Sequence, residues 1–269
     1  MTRIGLSTSS VYPEGTAQGF AYAKSVGYDS VEVMVGLDAL SQRIEAVRQL
    51  SEHHDIPISA IHAPCLLFTQ QVWGFEPWGK LERSAEMAQA VGAGVVVVHP
   101  PFRWQREYAA GFVDGIRLLE ERTGIAFAVE NMYPWRATVR GRGKRATQMY
   151  LPHWDPSTED YANTTIDLSH AAIAQDDVIA MAERLGSRLR HIHLTDGTNS
   201  AKDEHLVPGR GTMGAATFLQ HLASTGFDGE IVLEINTRKS GSKDGREADL
   251  RESLDFAREH FFGTSPAPA

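Results

Sequence analysis

Eight short apolar runs alternate with segments of helical periodicity along almost the whole chain. The runs have the length and composition of strands, and they lie near residues 3–9, 30–35, 58–62, 95–99, 126–130, 164–167, 190–195 and 231–235. Apolar residues at spacings of three and four predict helices at 15–26, 38–54, 77–91, 106–122, 176–186, 214–225 and 247–260. Because parallel neighbours need a crossover connection, this alternation predicts a parallel sheet. We therefore expect an α/β fold, a single (β/α)₈ TIM barrel, with a doubly wound open sheet as the alternative.

Length and composition are compatible with one large domain. A chain of 269 residues with 42% hydrophobic content can fill a single large core. We expect the barrel to occupy residues 1–262 and the Gly, Ser, Pro and Ala-rich residues 263–269 to form a flexible tail. The apolar runs are far shorter than the roughly 20 residues that span a bilayer. A single cysteine, Cys65, excludes an internal disulfide, and we expect a cytoplasmic protein that does not bind membranes.

Six of the strand-like runs end in a residue type that binds metals. These residues are His62, His99, Glu130, Asp167, His193 and Glu234. A single His after an apolar run is more often a hydrogen-bonded core residue, but the carboxyl ends of barrel strands converge on one mouth. Three carboxylates gathered there would repel one another, whereas a divalent cation makes the same cluster favourable. The set of six therefore predicts a metal centre.

Two local patterns add donors to this set. His170 follows Asp167 by three residues, and Asp203 and His205 lie in the segment after His193. The adjoining Pro208-Gly209-Arg210-Gly211 predicts a tight turn that fixes this segment. Imidazole and carboxylate ligands together suit Zn²⁺, Mn²⁺, Fe²⁺ or Co²⁺ better than Ca²⁺.

The connection between Glu130 and Thr164 is long and basic. It has two interpretations: a solvated surface loop, or a lid that carries cations for an anionic substrate. On the second interpretation the substrate-binding cations are Arg140, Arg142, Lys144 and Arg145. Arg210 and Trp104 are further substrate-binding candidates. Water would be excluded from the mouth by aromatic residues, for which the candidates are Phe68, Trp73, Phe102, Trp104 and Trp135.

Three segments resemble the xylose isomerase-like barrel superfamily, which also includes nucleases of the endonuclease IV type. They are Val129-Glu130-Asn131, Ile166-Asp167-Leu168-Ser169-His170 and His191-Ile192-His193-Leu194, and the resemblance runs from Ile4 to about Phe261. Sugar isomerases and epimerases of this superfamily bind one catalytic metal, usually Mn²⁺, Co²⁺, Mg²⁺ or Zn²⁺, through four ligands. The resemblance implies that the same ligands here are Glu130, Asp167, His193 and Glu234.

The nuclease branch binds three zinc ions through nine ligands, and this chain matches all of them in order. The resemblance thus implies up to three metals, on His62, His99, Glu130, Asp167, His170, His193, Asp203, His205 and Glu234. Two departures favour the sugar branch. Ala63-Pro64-Cys65 stands where the nucleases carry a DNA-contacting Tyr, and Gly27-Tyr28-Asp29-Ser30-Val31-Glu32 resembles a sugar-isomerase pattern. The formal charge of −8 also disfavours a broad nucleic-acid surface.

The resemblance and the donor set together predict a metal-dependent sugar or sugar-phosphate isomerase or epimerase. Glu130 and Glu234 would flank the substrate and move a proton through a cis-enediolate. His170 would bind a substrate oxygen or a second metal. The alternatives are an endonuclease IV-like phosphodiesterase, a keto-polyol dehydratase and a barrel that binds a ligand without catalysis. We expect a sugar or sugar phosphate as the small-molecule partner and, since family members often form dimers or tetramers, a homo-oligomer.

Overall fold

The computed structural model describes residues 2–139 and 143–263, except for the side chains of 136–139 and 143–145. The strands in this part of the chain are β1 (Arg3–Ser7), β2 (Ser30–Met34), β3 (Ile58–His62), β4 (Val95–Val98), β5 (Ala126–Glu130), β6 (Trp135–Val139), β7 (Gly143–Thr147), β8 (Thr164–Asp167), β9 (Leu189–Leu194) and β10 (Glu230–Leu233). Eight of them close into a parallel barrel in the order β1-β10-β9-β8-β5-β4-β3-β2. The predicted barrel is confirmed, and the open-sheet alternative is excluded.

The barrel is surrounded by helices that alternate with its strands. They are α1 (Thr16–Val26), α2 (Ile44–His54), α3 (Pro77–Val91), α4 (Arg106–Ala110), α5 (Phe112–Thr123), α6 (Leu168–Ala174), α7 (Val178–Leu185), α8 (Ala215–Thr225) and α9 (Lys243–Phe262). Gly27, Gly92 and Gly226 end α1, α3 and α8 in the left-handed conformation, with φ of 99°, 75° and 74°. Glycine adopts this conformation without steric cost, which confirms the predicted helix ends.

Three helix predictions need correction. The helix predicted at 106–122 is two helices, because Gly111 adopts a non-helical backbone between α4 and α5. The helix predicted at 38–54 begins only at Ile44, after a turn in which the Asp38 carboxylate accepts the Leu40 backbone N–H. Helix α6 was not predicted. It begins because the Asp167 side chain accepts the backbone N–H of His170 at 2.8 Å, so a strand-end donor also caps the helix.

Alternation along the strands decides which residues point into the barrel. The outward residues of β4 and β5, such as Val96 and Phe127, join the large core beneath the helices. The inward residues Ala60, Val95, Val97 and Ala128 form a separate small cluster. Side chains two residues apart share a face of a strand. The next inward positions after Ala60, Val97 and Ala128 are therefore the three donors His62, His99 and Glu130.

The long connection after β5 is a hairpin with a packed base. Strands β6 and β7 pair in antiparallel fashion from Trp135↔Thr147 to Val139↔Gly143. Phe102, Met132 and Tyr150 are buried together at its base. The base is therefore packed rather than solvated. Of the predicted substrate-binding cations, Lys144 and Arg145 belong to β7, whereas Arg140 and Arg142 lie outside the described residues, as do residues 264–269 of the predicted tail.

None of the helices within residues 2–139 and 143–263 combines the length and the apolar character that a membrane span requires.

Candidate active site

The carboxyl ends of the barrel strands bring the six predicted strand-end donors into one buried cluster. Asp167 and His193 are fully buried, and Glu234 is the most exposed of the six at 8%. Each donor is the inward residue at the end of its strand, or just beyond it. The register of the barrel therefore sets their positions, and six polar side chains face one another where the sheet would otherwise be apolar.

Glu130 is the centre of this cluster. Its Oε2 lies 3.4 Å from His62 Nε2 and 3.1 Å from His99 Nε2. Its Oε1 lies 3.0 Å from His170 Nδ1 and 3.3 Å from His193 Nδ1. Burial alone would raise the pKa of Glu130, but His193 and His99 hold that pKa well below its usual value. Glu130 is therefore a carboxylate shared by four imidazoles.

Four residues form the donor set that the resemblance implies for one metal. One oxygen or nitrogen from each of Glu130, Asp167, His193 and Glu234 lies within 4.8 Å of the others. His193 Nδ1 is 3.1 Å from Glu234 Oε2 and 3.8 Å from Asp167 Oδ2. Asp167 Oδ2 is buried and has no hydrogen-bond donor among the described residues. Three carboxylates and an imidazole, with one buried carboxylate oxygen left unsatisfied, fit a divalent cation.

A further set surrounds Asp203. Its Oδ2 lies 3.4 Å from His170 Nε2 and its Oδ1 lies 3.0 Å from His205 Nε2. The Ser169 hydroxyl donates to Asp203 Oδ1 at 2.7 Å, which fixes the carboxylate. Burial opposes protonation of His205, but Asp203 and Asp167 raise its pKa to about 10. All nine predicted metal ligands thus belong to one connected cluster.

Backbone carbonyls orient the imidazoles of this cluster. The ring nitrogen Nδ1 lies 3.0 Å from the Ala63 carbonyl in His62, 2.9 Å from the Asn131 carbonyl in His170 and 2.6 Å from the Glu234 carbonyl in His205. A ring that donates through Nδ1 turns Nε2 toward the carboxylates of the cluster, and Nε2 can bind a metal once it is deprotonated. Such contacts commonly fix metal-binding histidines before the ion binds.

Two buried residues below the cluster were not among the predicted site residues. Glu32 Oε1 lies 3.1 Å from His193 Nε2, and Glu32 Oε2 lies 3.1 Å from His191 Nε2. Burial would raise the pKa of Glu32, but His193 lowers it well below its usual value. His193 therefore turns Nε2 toward Glu32 and Nδ1 toward the metal ligands. The signal in the sequence was a charged residue between two apolar ones, Val31 and Val33, in a fully buried strand.

The cluster opens on a cavity of about 570 Å³, within the usual size range of small-molecule sites. The cavity is lined by Ser9, Tyr12, Leu37, Phe68, Asp203, His205, Glu234, Ile235, Asn236 and Arg238. Glu234 borders it directly, and the Ser9 hydroxyl donates to Glu234 Oε1 at 2.9 Å. Phe68 also lines a second, aromatic cavity of about 410 Å³ together with Tyr133, Trp135 and Tyr150.

Of the remaining predicted residues, Trp104 lies beside the aromatic cavity, whereas Arg210 and Trp73 have other neighbours. Trp104 stacks on Phe102, with ring centroids 4.6 Å apart, and Phe102 lines the aromatic cavity. Arg210 instead forms ion pairs with Asp249 and Glu252 of α9. The substrate-binding roles of Trp104 and Arg210 stay predictions. Trp73 donates from Nε1 to the Gln42 carbonyl at 3.2 Å and packs against the core beneath the helices.

Residues 20–260 match the family model described as xylose isomerase-like TIM barrel. An uncharacterized protein of Mycobacterium tuberculosis is 47% identical to this chain, covering 96% of this chain and 97% of its own length. Fructoselysine 3-epimerase of Escherichia coli O157:H7 is 20% identical, covering 81% of this chain and 84% of its own.

The fold is also similar to that of a solved structure. The crystal structure of D-psicose 3-epimerase with D-tagatose from Clostridium cellulolyticum H10 matches with a TM-score of 0.71 and 14% identity. The match covers 97% of this chain and 99% of that one.

Proposed function

The chain belongs to the xylose isomerase-like TIM barrel family, and on this premise we propose that it is a divalent-metal-dependent sugar isomerase or epimerase. The observation that carries the proposal is the approach of two carboxylates to one imidazole. Glu130 and Glu234 lie 3.3 and 3.1 Å from His193 Nδ1, and their strands, β5 and β10, are three apart around the barrel. Inversion at a carbon needs two such groups, one to remove a proton and one to return it.

The metal would be held by Glu130, Asp167, His193 and Glu234. When bound, a divalent ion polarises a carbonyl and makes the proton on the neighbouring carbon more acidic. This role needs ligands that are deprotonated and fixed in place. Glu32 and Asn131 help to fix the ligands in place. Glu32 contacts His193 Nε2, and the Asn131 side chain accepts the Asp167 backbone N–H at 2.6 Å.

The proton transfers would be carried by the two glutamates. One carboxylate removes the proton next to the carbonyl, and the bonding electrons form a cis-enediolate. The other glutamate must start in its protonated form, and it donates that proton to the opposite face for epimerisation, or to the neighbouring carbon for isomerisation. Glu234 is the better placed to meet a substrate first, because it borders the cavity whereas Glu130 is 1% exposed. His170 would hydrogen-bond a substrate oxygen, and loss of a β-hydroxyl from the same enediolate would give the dehydratase alternative.

Supporting evidence comes from one protein of similar sequence and one of similar fold. Fructoselysine 3-epimerase and D-psicose 3-epimerase are both named for inversion at the third carbon of a ketose. At identities of 20% and 14% over the chain, the sugars in the names of these proteins do not carry over to this chain, so the proposal stops at the class of sugar.

The test is proton exchange at carbon. The metal-loaded protein is incubated with a panel of ketoses in deuterated water, and proton NMR follows the loss of individual C–H signals and the appearance of epimers or aldoses. We expect exchange at a carbon next to the carbonyl of at least one sugar, and its loss after chelation. A panel in which every sugar keeps its protons with the metal-loaded protein would contradict the proposal.

A second candidate function is hydrolysis of a phosphoester, and one observation favours it. The nine donors form three adjoining groups: His62, His99 and Glu130; Glu130, Asp167, His193 and Glu234; and His170, Asp203 and His205. Three metals in these groups would suit activation of water beside a phosphate. Three zinc ions per chain and cleavage of DNA at an abasic site would establish this function, and absence of both would exclude it.

A further inference from the structure

We propose that Arg238 forms a subsite for an anionic group, a phosphate or carboxylate, carried by the substrate at a position away from the reacting carbons. The proposal rests on the proposed function in that it assigns the reacting carbons to the neighbourhood of Glu234. It concerns a different residue from the cations predicted from the sequence, and Phe68 lines both this cavity and the aromatic cavity.

Arg238 lines the same cavity as the catalytic cluster. Glu234, Asp203 and His205 form part of the wall of this cavity, and Arg238 forms another part. Glu234 is 8% exposed, whereas Arg238 is exposed, so the cavity runs from a buried carboxylate to a guanidinium near solvent. Three residues separate the two in the chain, so their Cα atoms are at most about 14 Å apart. A sugar bound at Glu234 inside this cavity would have its far end toward the wall that Arg238 forms.

The loop that carries Arg238 is fixed to the barrel. The hydroxyl of Thr237 is buried, donates to the Ser10 carbonyl and accepts from Arg246 Nε at 2.8 Å. Arg246 in turn pairs with Glu14 at 2.6 Å. The Arg238 backbone N–H donates to the Asn236 side chain at 3.2 Å. A guanidinium presented by an anchored loop loses less freedom on binding than one on a mobile loop.

The guanidinium itself is stacked and has no carboxylate partner within the described part of the chain. It lies over the Tyr12 ring, with its central carbon 5.0 Å from the ring centroid. The arginines nearby differ: Arg210 and Arg246 are both taken up by carboxylates. Stacking on an aromatic face leaves the edge N–H groups of a guanidinium free, and that edge matches the two oxygens of a carboxylate or phosphate.

The charges of the cavity wall explain why the Arg238 guanidinium would also orient the substrate. The other ionisable residues that line the cavity are Asp203, His205 and Glu234 in the donor cluster and Tyr12 beneath the guanidinium. The carboxylates repel an anionic substituent and the guanidinium attracts it. The substrate would therefore enter with its anionic end at Arg238 and its carbonyl end at Glu234, which selects the carbon that reacts.

Binding and turnover are measured separately to test this subsite. Calorimetry on the metal-loaded protein compares D-fructose and D-tagatose with their 6-phosphates and with the ketohexuronates fructuronate and tagaturonate. The variants are Arg238→Gln and the control Lys239→Gln. Lys239 is an exposed cation on the same loop but is not part of the cavity wall, so the control makes the same change in net charge.

We expect the wild-type protein and Lys239→Gln to bind an anionic sugar at least about tenfold more tightly than the matched neutral sugar. Arg238→Gln should lose that preference and bind the neutral sugar as before. Equal losses in the two variants, or no preference for an anionic sugar in the wild-type protein, would overturn the subsite. The preferred anion tells phosphate from carboxylate.

The same sugars are followed by exchange in deuterated water, which separates the two proposals. Exchange without an anion preference would leave the proposed function standing and reject the subsite. An anion preference lost only in Arg238→Gln, with no exchange for any sugar, would support the subsite and reject the isomerase function.

Discussion

The buried cluster at the strand ends and the exposed rim around it are built on different principles. In the cluster, the barrel register fixes the position of each side chain, and a buried neighbour fixes its orientation. The contact of Glu32 with His193 Nε2 is an example. On the rim, Arg238 comes from a loop and Phe68 from a short 3₁₀ helix, Leu67–Thr69, and both line the open cavity. Under the proposed function, the barrel would supply the chemistry and the segments around its mouth would select the substrate. Changes in the cluster should therefore abolish activity, whereas changes on the rim should alter selectivity.

The largest effect is expected for Glu130→Gln. Glu130 contacts four histidines, so loss of its charge weakens two adjoining donor groups at once. We expect turnover to fall by about 10³-fold or more, together with metal content. Proton exchange in deuterated water measures the turnover, and elemental analysis measures the metal content. Wild-type values of both would mean that Glu130 is only a structural carboxylate.

Glu234→Gln should separate chemistry from metal binding. Glu234 borders the cavity, and three other ligands of its group remain after the change. We expect most of the metal to stay and proton exchange to fall by about 10²–10⁴-fold. Glu230→Gln is the matched control, since Glu230 begins the same strand at the other end of the barrel. Turnover retained in Glu234→Gln would remove it from the acid-base pair.

Glu32→Gln tests whether a residue that touches no substrate positions a ligand. A Gln at position 32 can still accept a hydrogen bond from His193, but the attraction between the Glu32 carboxylate and the imidazole ring is lost. We expect metal affinity to fall about 10–100-fold, with kcat restored at saturating metal. Titration of the metal-free protein with Mn²⁺ or Co²⁺ gives the affinity. If kcat stays low at saturating metal, Glu32 acts in the chemistry rather than in positioning.

The pH dependence of stability should differ between metal-free and metal-loaded protein. Burial disfavours the charged form of His205, but Asp203 raises its pKa from 6.5 to about 10 in the metal-free fold. This contribution to stability is fully present below about pH 6.5 and is lost as the pH rises toward 10. A metal ligand must be deprotonated, so bound metal removes the dependence.

The gap in Tm between metal-loaded and metal-free protein should therefore widen from pH 6.5 to 9. Calorimetric scans at several pH values, with a matched set on His205→Gln, measure it. A gap that narrows over this range would contradict the assignment of His205 as a ligand.

The smallest effect is expected from replacing the four predicted cations of the connection after β5, Arg140, Arg142, Lys144 and Arg145, together with Ala. Charge contacts made in water are weak, so we expect KM for a phosphorylated sugar to rise about three- to tenfold, with KM for the neutral sugar unchanged. Alanine replacements of Lys24, Arg48, Arg117 and Arg122, on the outer helices, are the control. If both variants respond alike, the hairpin cations act only through net charge.

The sequence predicted the cluster better than the rim for a physical reason. An apolar run that ends in His, Asp or Glu marks a strand end, and the period of two then places that residue inside the barrel. The hairpin gave no such signal, because β6 and β7 lack a run of apolar residues and are stabilised by pairing with each other. The aromatic base of the hairpin brings together residues far apart in the chain, such as Phe102 and Tyr150.

Glu32 and Arg238 show two further limits of sequence reasoning. In the sequence Glu32 was marked only by its position between Val31 and Val33 and by the resemblance, because its contact with His193 joins residues 161 apart in the chain. Arg238 lies four positions after the predicted ligand Glu234, and nothing in the surrounding sequence sets it apart from an ordinary surface residue. Only the shared cavity and the stacking on Tyr12 distinguish it from other exposed arginines.

The central claim is that the buried donors hold a divalent metal. Elemental analysis of the wild-type protein, purified without added metal or chelator, tests this claim most directly, with Glu130→Gln analysed in parallel. We predict at least one Mn, Co, Zn or Mg ion per chain in the wild-type protein and a clear loss in the variant. A wild-type protein that carries no metal and takes up none on addition of Mn²⁺, Co²⁺ or Zn²⁺ would contradict the claim.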